Sequence, residues 1–330
     1  MTGIRVLALT GGAVETHKIS DVETLLRRDD ILVWVDIPEC SDEAVTLLTD
    51  VFHCHPLAVR DCMQRNRVPR VRIYPHQQLL ILHGPERGPS GHVHYIELDQ
   101  IIGDNYVVTV HGPINPAVQP DVALRETDAV RRRLEIGRLK PKSPFELSYA
   151  IVSRLTHNLE RFIEELTRDV WQLEQRVTGG HMGNPEEFLE ELFQARHGLL
   201  AVRTMGALGG EVYGRVAALG DRIPQADLPL VTDVVDQLAR IRALADGERE
   251  YLQGVIEFYR ARAETKMTIA AERLAVIAVV TLPITALSSI YGMNIIVNDR
   301  THLPALIGVL TVMVIMSTLL LTWAKRRGWW

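Results

Sequence analysis

The sequence is poor in cysteine and has no strong excess of charge of either sign. Three cysteines occur among its 330 residues, and no two of them stand at C-x-x-C spacing. This pattern argues against a disulfide-stapled scaffold and against a zinc site built from four cysteines. The formal net charge is −5, from 36 basic and 41 acidic residues. Such a balance gives no indication of a nucleic-acid partner.

The sequence also lacks the motifs that mark common catalytic sites. It contains no Gly-rich phosphate loop, no nucleophile elbow and no H-E-x-x-H helix. It contains no fixed-period repeat and no low-complexity segment either. The sequence therefore predicts a protein that is not an enzyme.

Long apolar runs are missing from the first 270 residues, which carry nearly all the charge, and are concentrated in the last 57. Residues 274–291 form a run of 18 without a charge, and residues 303–324 form a run of 22. A helix needs about 20 apolar residues to cross roughly 30 Å of hydrocarbon. Because both runs are apolar on all sides, they predict two transmembrane helices rather than a buried hairpin in a soluble core.

Basic residues are concentrated before the first predicted span and after the second. The loop that connects the two spans holds just one, Arg300. The flanking residues are Arg260, Arg262, Lys266, Arg273, Lys325, Arg326 and Arg327. This distribution predicts a multi-pass protein of the cytoplasmic membrane with both termini in the cytoplasm. The N-terminal stretch has no signal-peptide pattern. The cysteines Cys40, Cys54 and Cys62 would then lie in a reducing compartment, and we expect free thiols.

The N-terminal part, residues 1–142, is predicted to be an α/β domain. Short apolar runs separated by Gly, Pro and Asp indicate strands, and the stretches between them indicate helices. The predicted strands cover residues 31–37, 77–84, 92–103 and 106–112, and the predicted helices cover residues 42–52 and 121–137. The Pro-Lys-Ser-Pro sequence at 141–144 ends this domain.

Residues 143–273 are predicted to form a long α-helical stalk domain. Residues 143–146, Ser-Pro-Phe-Glu, are a capping box with proline at the first helical position, and this helix can run to Gly179. Asn184 and Pro185 likewise form an N-cap followed by a first-turn proline and predict the start of a second helix. We expect this helix to end near Gly206. A third helix is expected to begin near Pro229 and to continue for about 60 residues into the first span. Residues 274–330 are then a transmembrane hairpin with a basic C-terminal tail.

The turn between the spans carries the sequence Tyr-Gly-Met-Asn at residues 291–294, with Leu-Pro-Ile-Thr upstream of it. This arrangement resembles the CorA family of divalent-cation (magnesium) channels, two-span membrane proteins whose mark is Gly-Met-Asn at this place. The resemblance continues back to Asp233. It reappears at residues 55–74, where His-Pro-Leu, Asp61 and an Arg-rich stretch resemble a family segment. About half of the chain matches at motif level.

The resemblance implies a funnel-shaped homopentamer with the first span around a pore. It makes Tyr291, Gly292, Met293 and Asn294 the predicted selectivity filter. A ring of Asn side-chain oxygens could bind the water shell of Mg²⁺, an ion that dehydrates reluctantly. Helical spacing back from Asn294 predicts the pore-lining residues Ser289, Thr285, Leu282, Ala278, Leu274 and Ala271. The residues alone also allow a plain helix C-cap and ordinary helix packing.

The resemblance further implies a regulatory Mg²⁺ site between subunits, formed by Asp61 and Asp233. Two close carboxylates repel each other unless a cation lies between them, so loss of internal Mg²⁺ would open the pore. Glu257 is a candidate for a cation-attracting ring near the inner mouth. At the outer mouth the family usually has several acidic residues, whereas this loop has only Asp299. For Asp61 and Asp233 the alternative is a solvated surface charge or a helix cap, and for Glu257 it is a solvated helix face.

The sequence therefore predicts passive Mg²⁺ uptake, gated by intracellular Mg²⁺, through a homo-oligomer in the lipid bilayer. One alternative is a Co²⁺, Ni²⁺ or Zn²⁺ transporter of the same family, and another is a membrane cation sensor that does not conduct. A separate zinc site is conceivable at residues 52–57, Phe-His-Cys-His-Pro-Leu, where two imidazoles flank a thiol. The same residues match the family's helix start, which is the competing interpretation.

Overall fold

The computed structural model of the chain describes residues 3–113, 115–180, 183–220, 223–292 and 303–326. These residues belong to two units, Met1–Val255 and Ile256–Trp330. The N-terminal α/β domain, the long helix and the two apolar C-terminal helices that the sequence predicts are all present. The finer division of the cytoplasmic part into residues 1–142 and 143–273 stays a prediction.

Within the described residues, one sheet of seven strands organises the N-terminal domain. The strands are β1 (Arg5–Thr10), β2 (Ala13–His17), β3 (Leu32–Ile37), β4 (Arg70–Ile73), β5 (Gln78–Arg87), β6 (Val93–Ile102) and β7 (Tyr106–Val110). Their order is β2-β1-β3-β7-β6-β5-β4. The central β3 and β7 pair in parallel, and the other described pairs are antiparallel. The sheet is therefore mixed.

Helices connect and follow the strands. They are α1 (Val22–Leu26), α2 (Asp42–Thr46), α3 (Pro56–Met63), α4 (Pro120–Ala123), α5 (Arg125–Glu135), α6 (Pro144–Gly179), α7 (Pro185–Ala217), α8 (Leu228–Gly292) and α9 (Leu303–Arg326). Short 3₁₀ turns occur at Ile19–Asp21 and Pro89–Gly91, and a π-helical turn, Leu47–Val51, follows α2 directly. The predicted helix at 42–52 is thus two consecutive helical segments.

Both faces of the sheet are covered, because strand β3 is buried along its whole length. Its side chains alternate between two apolar clusters, as the two-residue period of a strand requires. Val33 and Val35 belong to the cluster beneath α2 and α3. Leu32 and Trp34 belong to the cluster beneath α5 and α6. A strand buried on both sides reads as a continuous apolar run, which is why residues 31–37 were recognisable in the sequence.

The sequence predicted β3, β5, β6 and β7 but missed β1, β2 and β4. The first two missed strands form a hairpin across Gly11 and Gly12, which have positive φ values of 56° and 95°. The Thr-Gly-Gly sequence was the available turn signal, since glycine adopts such angles without strain. Strand β4 has four residues, two of them arginine, and its apolar pattern is too short to recognise.

The predicted start and end of α6 are confirmed. The Ser143 Oγ accepts a hydrogen bond from the Glu146 backbone N–H at 3.0 Å, and the helix ends at Gly180, whose φ is 78°. The Glu146 carboxylate accepts from the Lys142 N–H at 2.7 Å instead of from Ser143. A serine cap and a left-handed glycine satisfy backbone groups that the helix leaves unpaired.

The predicted end of α7 near Gly206 is wrong, because the helix continues to Ala217. Gly206 faces α8 at close range. A Cβ atom at this position would lie 3.0 Å from Ile241 Cγ2 and 3.2 Å from the backbone nitrogen of Arg242. The glycine therefore permits close packing of two helices and does not end one.

Helix α8 begins at Leu228, next to the expected Pro229, and has 65 residues in all. Pro283 lies inside it and does not end it. The C-terminal part of α8 and helix α9 are long and apolar enough to cross a membrane, and almost none of their apolar windows is buried. A core helix of a soluble protein would instead be covered by its own chain. These two helices are therefore candidate membrane spans, as the sequence predicted.

Candidate functional site

The six predicted pore-lining residues lie in one stripe of α8. At about 100° per residue they fall within an arc of about 80°. All six are exposed in the isolated chain: Ala271, Leu274, Ala278, Leu282, Thr285 and Ser289. The Thr285 hydroxyl donates to the Thr281 carbonyl oxygen at 2.9 Å, which leaves its oxygen lone pairs free to accept from water. The stripe can therefore offer hydroxyl oxygens at its C-terminal end and apolar surface towards its N-terminal end.

The predicted filter falls only partly within the described residues. Tyr291 and Gly292 are the last two residues of α8. Met293 and Asn294 lie outside the described residues, and so does Asp299 in the loop. Glu257 is described, belongs to α8 and is exposed.

Asp61 lies in the last turn of α3, a helix whose start is built by His55 and Pro56. The His55 Nδ1 accepts a hydrogen bond from the Leu57 N–H at 3.1 Å, and Pro56 occupies the first turn. His55 also stacks on Tyr74, with ring centroids 4.7 Å apart. The His-Pro-Leu sequence is therefore a helix start, which favours that interpretation over a zinc ligand.

Three arginines surround the Asp61 carboxylate, whose side chain is only 3% exposed. The Arg72 Nε donates to Oδ2 at 2.5 Å, and the Arg70 Nη1 lies 3.6 Å from the same oxygen. The Arg60 Nη2 lies 3.6 Å from Oδ1. A cation that binds Oδ2 would have to displace the Arg72 guanidinium, and one that binds Oδ1 would approach the charge of Arg60.

These arginines keep Asp61 ionised. Burial is the largest single influence on its pKa and acts to raise it. The hydrogen bond from Arg72 and the charges of Arg72, Arg70 and Arg60 together outweigh burial, so the pKa lies below its ordinary value of 3.8. Asp61 therefore carries a full negative charge that its own chain already compensates.

Glu97, a residue that sequence reasoning missed, holds the segment that follows Asp61. Its carboxylate accepts from the Asn66 N–H at 2.8 Å and from the Asn66 Nδ2 at 2.6 Å. The same amide group donates to the Asp61 carbonyl oxygen at 2.8 Å, and the His83 Nε2 lies 2.8 Å from the Asn66 carbonyl oxygen. Asn66 thus joins the end of α3 to strands β5 and β6. The signal was available as two acids, at positions 97 and 99, inside an apolar strand.

Asp99, two residues further along β6, is completely buried. Burial first, and then the negative charge of Glu97, raise its pKa well above the ordinary value of 3.8. An ionised carboxylate in such a position is unfavourable, so burial shifts Asp99 towards its protonated form. Burial likewise raises the pKa of the Cys40 thiol to about 11 and that of the Cys54 thiol to about 12. These thiols are free and unreactive.

Asp233, on the first turns of α8, has a different environment from Asp61. Its Oδ2 accepts from the Tyr149 hydroxyl at 2.7 Å and from the Gln237 Nε2 at 2.6 Å. The hydrogen bond to Asp233 is the first cause of a raised pKa at Tyr149. Asp233 is half-buried and makes no ion pair within the described part of the chain. Its charge is therefore available to a cation from outside the chain.

The described residues contain no group of three or more His, Cys, Asp or Glu side chains placed to hold a metal ion. At residues 52–57, His53 has a positive φ of 48°, and the Cys54 thiol donates to the Gln77 Oε1 at 3.2 Å. With His55 used as a helix cap, the three side chains do not converge. A site shared by Asp61 and Asp233 would join neighbouring subunits, so the single chain does not test it.

An α/β domain that continues through one long helix into two apolar helices defines a two-span membrane protein with a large water-soluble domain. A family model described as CorA-like Mg2+ transporter protein matches residues 29–326. The chain belongs to this family of divalent-cation transporters, which confirms the resemblance carried by the Gly-Met-Asn turn.

Two relatives resemble the chain over nearly its full length. The "Putative metal ion transporter YfjQ" of Bacillus subtilis is 24% identical over 318 residues, which cover 93% of each chain. The "Cobalt/magnesium transport protein CorA" of Thermotoga maritima is 23% identical over 326 residues, covering 94% of this chain and 88% of that protein.

Solved structures share the fold. The complete CorA magnesium transporter from Methanocaldococcus jannaschii superimposes with a TM-score of 0.80 at 15% identity, covering 100% of this chain and 99% of that one. The full-length CmaX protein superimposes with a TM-score of 0.75 at 19% identity, covering 99% and 97%. The shared fold therefore extends over nearly the whole of each compared chain.

Proposed function

We propose that this protein is a channel for passive Mg²⁺ entry across the cytoplasmic membrane. Family membership over residues 29–326 supports divalent-cation transport. The observation that carries the proposal is helix α8, which ends at Gly292, directly before Met293 and Asn294, and exposes the stripe from Ala271 to Ser289. The relative from T. maritima, named a cobalt/magnesium transport protein, supports the choice of ion.

The proposed conducting form is a homo-oligomer, because two helices of one chain cannot enclose a pore. We propose a pentamer around the α8 stripe, with both termini in the cytoplasm. The exposure of the stripe in the single chain is consistent with this arrangement. Five copies of Asn294 would then form a ring of amide oxygens at the outer mouth.

Such a ring suits an ion that enters with its water shell. Mg²⁺ gives up water reluctantly, so a site that accepts hydrogen bonds from bound water selects it without dehydration. The membrane potential supplies about 2.3 kcal/mol per charge per 100 mV, hence roughly twice that for a divalent ion. No other energy source is needed for uptake.

We further propose that internal Mg²⁺ closes the channel by binding between Asp61 of one subunit and Asp233 of the next. Asp233 suits this role because it lacks an ion pair within the described residues. Asp61 is ionised but already paired with arginine, which weakens any cation site there. The two carboxylates of the proposed regulatory site therefore differ, because arginines compete with the cation at Asp61 but, among the described residues, not at Asp233.

Flux through the reconstituted protein tests the transport proposal. The purified chain in liposomes that contain a Mg²⁺-sensitive dye should show uptake driven by an inside-negative potential. Asn294→Ala should reduce this uptake at least tenfold, whereas Asn298→Ala, in the same loop, should leave it within twofold. Absence of flux, or equal flux from both variants, would contradict the proposal.

The alternatives give different results in the same liposomes. The mouth loop carries Asp299 beside Arg300, which favours cations less than a loop rich in acids. A Co²⁺, Ni²⁺ or Zn²⁺ transporter would carry those ions with little Mg²⁺ uptake. A membrane sensor would bind Mg²⁺ without flux of any of the four ions.

A further inference from the structure

Three arginines surround the Asp61 carboxylate, the group to which the proposed regulatory cation would bind. Arg72 donates to Oδ2 at 2.5 Å, Arg70 approaches the same oxygen to 3.6 Å, and Arg60 approaches Oδ1 to 3.6 Å. The Asp61 side chain is only 3% exposed. Both oxygens therefore face positive charge supplied by the same chain.

The local fold builds this arrangement. Arg70 and Arg72 alternate along β4, so their side chains lie on one face of the strand. Asn66 fixes the turn between α3 and β4 by donating to the Asp61 carbonyl oxygen at 2.8 Å. The contact between Arg72 and Asp61 is thus a feature of the folded domain and not a chance meeting of surface side chains.

A guanidinium and a divalent cation compete for the same lone pairs. A carboxylate only accepts hydrogen bonds, so Mg²⁺ or its bound water at Oδ2 would compete with the hydrogen bond that Arg72 donates there. Arg72 lies eleven positions from Asp61 in the same chain, so its effective concentration at the carboxylate is high and does not depend on protein concentration. Asp233 has no such competitor within the described residues, because its two donors, Tyr149 and Gln237, are neutral.

We propose that Arg72 is a tethered competitor for the regulatory cation at Asp61. Internal Mg²⁺ then closes the channel only at a concentration high enough to displace the guanidinium, and Arg72 sets that threshold. This inference rests on the proposed regulation by a cation between Asp61 and Asp233. It assigns to Arg72 a role in tuning that regulation and no role in conduction.

Removal of the competitor should make the protein more sensitive to Mg²⁺. In liposomes with graded internal Mg²⁺, Arg72→Gln should lower the half-inhibitory concentration about tenfold, the size expected when one charge-assisted hydrogen bond no longer competes. Arg67→Gln is the matched control. Arg67 is exposed on the same turn and belongs to none of the ion pairs found among the described residues. Its half-inhibitory concentration should stay within twofold of the wild type.

A second readout does not require conduction. Mg²⁺ that binds only the native oligomer raises its Tm, and the concentration giving half of this rise reports binding directly. Arg72→Gln in detergent should reach half of the rise at a concentration about tenfold lower than Arg67→Gln. Asp61→Asn/Arg72→Gln should lose this gain, because the shared carboxylate is gone.

The outcomes separate the two proposals. If Asp61→Asn changes the response to Mg²⁺ but Arg72→Gln behaves like Arg67→Gln, the competition is wrong and the sensor stands. If Asp61→Asn leaves both readouts unchanged, both proposals fail at this residue. Should Arg72→Gln not fold, Arg70→Gln removes a side chain that is 41% exposed and 3.6 Å from Oδ2. It should shift both readouts in the same direction by a smaller factor, and no shift would overturn the proposal.

Discussion

The Arg72 Nε lies 2.5 Å from the Asp61 Oδ2, in a pair whose acidic partner is 3% exposed. The pair ties the end of α3 to strand β4, at the edge of the sheet. In the sequence, Asp61 is only a carboxylate within a family motif. In the structure it is also the partner of arginines from its own domain. An acid that neutralises arginines within its own domain contributes to stability whether or not it binds a cation.

Asp61 should make the protein sensitive to acid. Its pKa is depressed in the folded state, so the unfolded chain binds the proton more readily. The stabilising contribution is therefore fully present above pH 3.8, the ordinary value, and is lost as the pH falls through the lower folded-state pKa. Asp61→Asn should cost about 1–3 kcal/mol at pH 7, and this cost should shrink as the pH falls below 3.8 towards the folded-state pKa.

The measurement is the Tm of the detergent-solubilised chain between pH 3 and 7. Asp21 serves as a control, because its pKa is also lowered but its carboxylate is at the surface. Asp21→Asn should change the Tm little at either end of the range. If both variants lowered the Tm equally, the burial of Asp61 among arginines would not be the cause of the acid sensitivity.

Asp99 should have the opposite effect on pH dependence. Its pKa is raised in the folded state by burial and by Glu97, so the native protein holds a proton that the unfolded chain releases. Stability should therefore fall as the pH rises from 3.8, the ordinary value, towards the folded-state pKa. Asp99→Asn keeps the shape without the titration and should flatten the Tm profile above pH 3.8. An unchanged slope would contradict a raised pKa at Asp99.

Gly206 should tolerate no side chain. A Cβ atom would meet Ile241 Cγ2 at 3.0 Å and the Leu238 carbonyl oxygen at 3.2 Å. Gly206→Ala should lower the free energy of unfolding by about 1–3 kcal/mol through overpacking between α7 and α8. Gly214, in the same helix, has no described atom within 4 Å of such a Cβ. Gly214→Ala should raise stability by up to about 1 kcal/mol, since alanine favours a helix, and chemical denaturation can compare the two.

The α8 stripe should be accessible to a pore-blocking thiol reagent. The thiolate of Ser289→Cys should attack a charged methanethiosulfonate, which forms a mixed disulfide and releases methanesulfinate, and the variant should then lose most of its Mg²⁺ flux. Ser288→Cys points about 100° away and should retain it. Burial raises the pKa of the native Cys40 thiol to about 11, that of Cys54 to about 12 and that of Cys62 well above its ordinary value, so the three natural cysteines should not interfere. Equal block at both positions would contradict the assignment of the stripe to the pore.

The family and the element types could be predicted because their signals are local. Ser143 and Gly180 mark the ends of α6 through hydrogen bonds and backbone angles that involve only neighbouring residues. The extent of α7 could not be predicted in this way. Gly206 looks like a helix stop in sequence, and only the approach of α8 shows that it is a packing position.

The candidate site also contains features that the sequence predicts and features that it does not. The positions of Asp61, Asp233 and the Gly-Met-Asn turn follow from motifs, and their roles remain proposals. Glu97 and Asn66 were missed, because their hydrogen bonds join residues 31 positions apart. The sequence shows two acids within a strand but does not show which partner each one meets.

By itself the sequence determined the two apolar runs, their basic flanks and the family turn between them, since hydrophobic length and charge act without reference to distant contacts. Only the tertiary structure decided that Asp61 is enclosed by Arg60, Arg70 and Arg72, and that Asp233 is not. The physical reason is that the pKa of a carboxylate and its affinity for a cation depend on the charges around it. Those charges come together only when a strand and a helix pack against each other.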